Sequence, residues 1–314
     1  MAKIQVEQEP GQATYQSILE HEITEGLREI ERPTYGLLIS GVSAGLDVSI
    51  SLFLIVVVKT LGQDAINRAV VEMLGGVMYS VGFIVVILGR SELFTEHTTR
   101  AVYPVLHGRA TMLRMLRLWG LIYVANLAGT AVLARLITLV GPALGVTRTS
   151  LFGEVARRVV DHPWWVIFLS ATLAGWLMGL VSWLVSAARD TTSQILIVAI
   201  ITGSIGIAHL HHAIVGSVEV LSGIFAKQGL GMNDYFRVLL WTTLGNAAGG
   251  VFFVALFKYS HATRAAAEPP QISLSEEAAS TIITDLSARA PGSAGELRKP
   301  SRSTQREGAD PMGT

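Results

Sequence analysis

The chain has 314 residues, half of them hydrophobic, and a mean hydropathy of +0.48. Only 15% are charged, against about a quarter in an ordinary soluble domain, and the formal net charge is zero. This excludes a soluble globular class and leaves no basic face for nucleic acid, and the lack of cysteine excludes thiol chemistry, disulfides and cysteine-ligated zinc.

Several apolar stretches of about 20 residues are long enough to cross a hydrocarbon core, so the chain reads as an all-α polytopic membrane protein. Residues 1–13 read as disordered and show no apolar h-region, so the first span is expected to serve as the insertion signal. Over 14–32, Ile18, Ile23, Leu27 and Ile30 recur at helical spacing among charges. That is an amphipathic helix at the membrane surface or against neighbouring spans, ended by Pro33. The first span covers about 35–58 and contains Asp47. The second covers about 71–88 and dissolves into Arg90, Ser91, Glu92, Thr95, Glu96 and His97, with a short apolar stretch at 101–106. The third covers about 116–140, a loop fills 141–161, and the fourth covers about 163–188. The fifth starts near Gln194, breaks at His209, His211 and His212, and resumes over 213–225; the sixth covers about 234–259. Past Ser260 the composition turns to Ala, Ser, Glu, Pro and Arg, which cannot bury a core. The expected organisation is an N-terminal segment 1–33, a six-span domain 34–260 and a disordered tail 261–314.

The halves echo each other. SAGLDVSISLFLIV at 43–56 parallels LAGWLMGLVSWLVS at 173–186, ANLAGTAV at 125–132 parallels GNAAGGVF at 245–252, and both middle spans are broken. Two three-span halves separated by an odd number of crossings have opposite orientation, which makes a 3+3 inverted repeat with discontinuous helices in matching places. A half-helix exposes free N–H groups and the positive end of its dipole, and two such ends meeting inside the bilayer make an anion-tolerant site. Basic residues divide evenly between the two faces, with Arg100, Arg109, Arg114, Arg117 and Arg189 against Lys59, Arg68, Arg148, Arg157 and Arg158, so charge counting selects no orientation.

Polar groups at membrane depth mark a functional pathway. The candidates are the histidines, Thr95, Asp47 and Glu219. Asp47 either pairs with a histidine or lies at an aqueous vestibule. Glu92 and Glu96 are expected to be wet or bonded to half-helix N–H groups, and His209 and Glu219 to line the pathway or tie helices together. His209 and His212 are three apart, so on a continuous helix they could serve a divalent cation with Asp47 or Glu219. No H-E-x-x-H motif is present, and the G-x-S-x-G match at Gly41–Gly45 lies inside the apolar first span, not at a strand-to-helix turn, so neither pattern supports an enzyme.

The motifs SELFTEHT at 91–98, HHAIVG at 211–216 and the Asn-x-x-Gly pair, Asn126/Gly129 and Asn246/Gly249, resemble the formate/nitrite transporter family over about 35–260. The resemblance implies a homopentamer of aquaporin-like protomers in the bacterial inner membrane, both termini cytoplasmic, each protomer passing small monovalent anions or their weak acids without a cofactor. It also implies that the central histidine is His212, facing Thr95, with Leu93 and Phe94 as apolar constriction. An imidazole there can hydrogen-bond or protonate the substrate. The chain departs from the family pattern at His211, where Glu is usual, at Gly216, where Asn is usual, at Ile205, where an aromatic is usual, at Gly179 and at Asp47. These departures resemble a divergent subfamily, and a wider slit leaves a neutral solute as a further substrate class.

Overall fold

The computed structural model describes residues 13–63 and 65–267, and every regular element among them is helical. Five helical rods are long and apolar enough to cross a membrane. They are α2 (Thr34–Gly62), α3 (Arg68–Leu88), α6 (Met112–Ala143), α8 (Trp164–Ala187) and a last rod built of α11 (Met232–Ala248), a π-helical section (Gly249–Leu256) and α12 (Phe257–Ala267). The remaining apolar segment is split into α9 (Thr191–Ile207) and α10 (Ala213–Phe225), each shorter than a span. The second segment is split in the same way, with α4 (Phe94–Arg100) and α5 (Val102–Leu106) following α3. Many large apolar side chains are left exposed, among them Leu113, Val124 and Val132 on α6, Leu169 and Trp176 on α8 and Phe236 and Leu240 on α11, as a surface facing lipid requires. The chain is a multi-pass membrane protein.

The amphipathic α1 (Tyr15–Glu31) begins at a Thr14 cap that accepts from the Ser17 amide at 3.1 Å. It buries Ile18, Leu19, Ile23 and Ile30 against neighbouring helices. Its Glu22 accepts from Ser182 of α8 at 3.0 Å and also from Ser186. Two boundaries differ from expectation. The stretch 141–161 is not a simple loop: α7 (Thr149–Val160) occupies it, because Leu151, Phe152, Val155, Ala156 and Val160 form one apolar stripe that packs on α10. The last rod also runs past Ser260 to Ala267, while the rest of the expected tail, 268–314, lies outside the described residues.

The repeat is physical. A Cβ on Gly45 would fall 2.2 Å from the carbonyl oxygen of Asn126, and one on Gly175 the same 2.2 Å from that of Asn246. Gly129 sits against the carbonyl of Val42 as Gly249 sits against that of Thr172, at 2.3 and 2.1 Å. So α2 crosses α6 as α8 crosses α11, backbone to backbone, at the only residue type that permits it. The long broken pieces α3 and α9 meet through Gly76 and Gly203. Arg90 and His209, at matching places after α3 and α9, turn the chain with positive φ of 53° and 50°.

Candidate functional site

Each break is held by one asparagine. Asn126 of α6 accepts from the Phe94 amide at 2.8 Å and donates to the carbonyls of Gly41 and Glu92 at 2.8 and 2.9 Å. Asn246 of α11 accepts from the Ala213 amide at 2.8 Å and donates to the carbonyls of Ala171 and His211 at 2.7 and 3.1 Å. Both are fully buried, and each satisfies backbone groups that a break at membrane depth would otherwise orphan. The break in one half thus copies the break in the other, and Leu93 takes the position that His212 takes in the second half.

His212 is the N-cap of α10. Its Nδ1 accepts from the Val215 amide at 3.2 Å, so the neutral ring carries its hydrogen on Nε2, which lies 2.8 Å from Thr95 Oγ1. Thr95 is 0% and His212 1% exposed. Among the described residues nothing bonds the amides of Thr95 and Ile214, the second residues of α4 and α10. Two half-helix N-termini therefore meet at a Thr–His pair, each with a free N–H. The edge of Phe83 on α3 faces the imidazole, centroids 5.2 Å apart. This ring was invisible in the sequence because it is one apolar residue in an apolar span.

Two cavities lie at opposite ends of α3 and α9. The first, about 50 Å³, is lined by Lys59, Glu72, Tyr79, Arg158, Ile205 and Glu219 among others. The second, about 560 Å³, is lined by α1 residues including Glu29, by Arg32 at the α1 C-cap, by Arg90, Ser91 and Glu92 of the break, and by Glu96 and Arg100. Phe83 and the central pair fall between the two ends.

The remaining candidates scatter. Asp47 bonds Ser43 at 3.1 Å and Ser91 at 3.2 Å rather than a histidine. Leu93 and Phe94 are buried, and the Phe94 ring packs on Tyr123 and Trp119 of α6, at 4.8 and 6.0 Å. His211 has both nitrogens engaged, by Ser170 at 3.0 Å and by the Val159 carbonyl at 3.1 Å. His209 points to Arg158 at 3.0 Å, 3.6 Å from Glu72. The divalent-cation reading needed His209 and His212 on one continuous helix. Because α9 ends at Ile207, the three histidines have separate partners and do not converge. Glu92 and Glu96 both line the second cavity, and their carboxylates pair with cations instead of bonding half-helix amides. Glu92 pairs with Arg32 and, at 2.6 Å, with His97, while Glu96 pairs with Arg100 at 2.8 Å. This buried network, joined by Glu29 and Glu22, locks α1 to α4. At the first cavity's rim, Arg158 meets Glu72 at 2.7 Å and Glu154 at 3.0 Å, and Lys59 meets Glu72 at 3.0 Å. The hydrogen bonds to Glu72 hold the Arg158 guanidinium even more firmly charged than usual. The sequence offered these charges only as scattered span-end residues.

Comparison with known proteins follows the same outline. Residues 16–260 match the family profile described as formate/nitrite transporter. Inner membrane protein YfdC of Escherichia coli (strain K12) is 31% identical over 262 residues, spanning 82% of each chain. A solved structure described as an FNT family ion channel superposes with a TM-score of 0.68 at 21% identity, over 78% of this chain and 98% of that one. Another, a pentameric formate channel with formate bound, gives 0.61 at 22% identity, over 73% and 97%. At these identities the two structures speak for the fold.

Proposed function

The chain belongs to the formate/nitrite transporter family, and from that premise we propose that it is a channel for small monovalent anions or their weak acids. The observation that carries this reading is the Thr95–His212 pair, 2.8 Å apart, seated where two half-helix N-termini meet between opposed cavities. A small anion entering a buried apolar passage loses its hydration, and the passage must return part of that interaction. The free amides of Thr95 and Ile214 and the positive ends of two helix dipoles suit negative charge at this meeting point, while the Nε2–H of His212 donates to the Thr95 oxygen. With His212 as its acceptor-side partner, the Thr95 hydroxyl can turn its own hydrogen to the substrate. An imidazole that takes up a proton at Nδ1, releasing the Val215 amide, can also give one up from Nε2, so that the substrate crosses as the neutral acid and leaves no net charge in the low-dielectric core. Leu93, Phe94 and Phe83 would keep this point dry. The same reading takes each pore as one protomer of a homopentamer, in a bacterial inner membrane with both termini cytoplasmic. The pentameric formate channel of the same fold supports the assembly.

Proteoliposomes loaded with a pH-sensitive dye and challenged with formate at two pH values test this. His212→Ala should lower formate-driven acidification at least tenfold, and His209→Ala far less. Equal flux in the His212 variant and the parent would refute the role.

A further inference from the structure

The cavity on the α7 side contains two polar groups that the protein leaves unserved. The Tyr79 hydroxyl is buried with no hydrogen-bond partner, on a residue only 5% exposed. The half-buried Glu219 carboxylate, two turns into α10, has neither hydrogen bond nor ion pair among the described residues. The other polar groups of the cavity are committed. His211 has both nitrogens bonded, His209 faces Arg158, and Lys59 and Arg158 are tied to Glu72. With Glu154 counted, the four rim charges cancel in pairs, so the Glu219 carboxylate is the unbalanced charge of the cavity and disfavours an anion there. A carboxyl and a phenol with no protein partner are retained inside a span only where a cavity occupant serves them.

We infer that this cavity is a staging site for the uncharged form of a small monocarboxylic acid. Its O–H donates to the Glu219 carboxylate, and its carbonyl oxygen accepts from the Tyr79 hydroxyl. One group offers an acceptor and the other a donor, which is the pattern a carboxylic acid complements. A volume of about 50 Å³ admits a molecule of one to a few heavy atoms. Moving the shared proton along the first of these hydrogen bonds converts acid plus Glu219 carboxylate into anion plus protonated Glu219, with no change in total charge. Tyr79 stacks on Phe83 at 5.2 Å between centroids, and Phe83 in turn meets His212, so the occupant stands one aromatic layer from the central pair. The inference rests on the weak-acid reading above and assigns Glu219 and Tyr79 to substrate binding.

The test uses the full chain in dye-loaded proteoliposomes, with initial rates measured against formate and acetate concentration. Glu219→Gln and Tyr79→Phe should each raise the half-saturating concentration about tenfold, the worth of one hydrogen bond to a carboxyl group. The maximal rate should stay within about twofold, whereas a His212 variant loses maximal rate. Unchanged half-saturation in both variants, with the parent protein carrying either acid, overturns the staging site and leaves the central reading intact. No acidification by the parent protein sinks both. A shift for methylammonium without one for the acids assigns the cavity to a cation and overturns the inference.

Discussion

Replacing Asn246 by leucine, of similar size, removes both faces of one clamp. The Ala213 amide loses its acceptor, and the carbonyls of Ala171 and His211 lose their donor, bonds of 2.8, 2.7 and 3.1 Å. In water-soluble proteins an orphaned buried polar group costs about 1–3 kcal/mol. Interhelical hydrogen bonds in membranes average nearer 0.6 kcal/mol, because the unfolded-in-membrane state finds partners of its own. Three bonds therefore place the expected loss at about 2–5 kcal/mol. The lower end applies if the break relaxes. The upper end applies if α10 stays seated, since His212 is its cap. Thermal unfolding of the detergent-purified protein reads the stability. Weak-acid flux in proteoliposomes reads the seating of His212 and should fall at least tenfold. Asn126→Leu, which undoes the matching clamp on α4, should cost about the same. A melting point for Asn246→Leu equal to that of the parent, with flux retained, would refute the claim that one side chain holds the break.

Gly45→Ala and Gly175→Ala should each destabilise by about 1–3 kcal/mol, because the added Cβ meets a backbone oxygen at 2.2 Å and not a movable side chain. Gly120→Ala, with nothing within 4 Å of its Cβ, should be neutral or stabilising by the same melting assay. Thr95→Val, which strips the acceptor from His212 Nε2–H, should reduce flux about tenfold, and Thr95→Ser should restore it; equal flux in Val and Ser variants would argue against the hydroxyl's part. Burial pushes the Glu29 carboxyl of α1 from 4.5 up to about 7, although nearby His97 pulls the other way. A raised carboxyl favours the folded state while protonated, so its contribution is fully present below about pH 4.5 and is lost as pH rises through 7, a swing on the order of 3 kcal/mol. The protection factors over 15–31, which correct for the intrinsic rise of exchange with pH, should therefore fall between pH 5 and 8 in the parent and not in Glu29→Gln; a flat protection profile in the parent would refute the shift.

How far the residues alone reach is shown by the two breaks. Their existence, the asparagines and the small residues opposite them were legible in sequence, because a membrane tolerates polar or irregular backbone only where something serves it, and such exceptions stand out in an apolar chain. The helix α7 escapes the sequence reading because a 12-residue stripe with three charges between two spans looks like a connecting loop. Of the two readings open for Asp47, the structure removes the histidine partner: Ser43 and Ser91 bond its carboxylate, and Ser91 lines the second cavity, a neighbourhood that the residue type alone does not name.

Hydropathy and period fix which segments enter the bilayer and where they are interrupted, since these depend on each segment's own exchange with lipid. Which side chains meet depends on how the helices cross. The Thr95–His212 contact joins residues 117 apart, and the Tyr79–Glu219 cavity joins the two halves of the chain. No local pattern encodes those distances; glycine crossings and asparagine clamps set them, and they exist only once the two halves have packed.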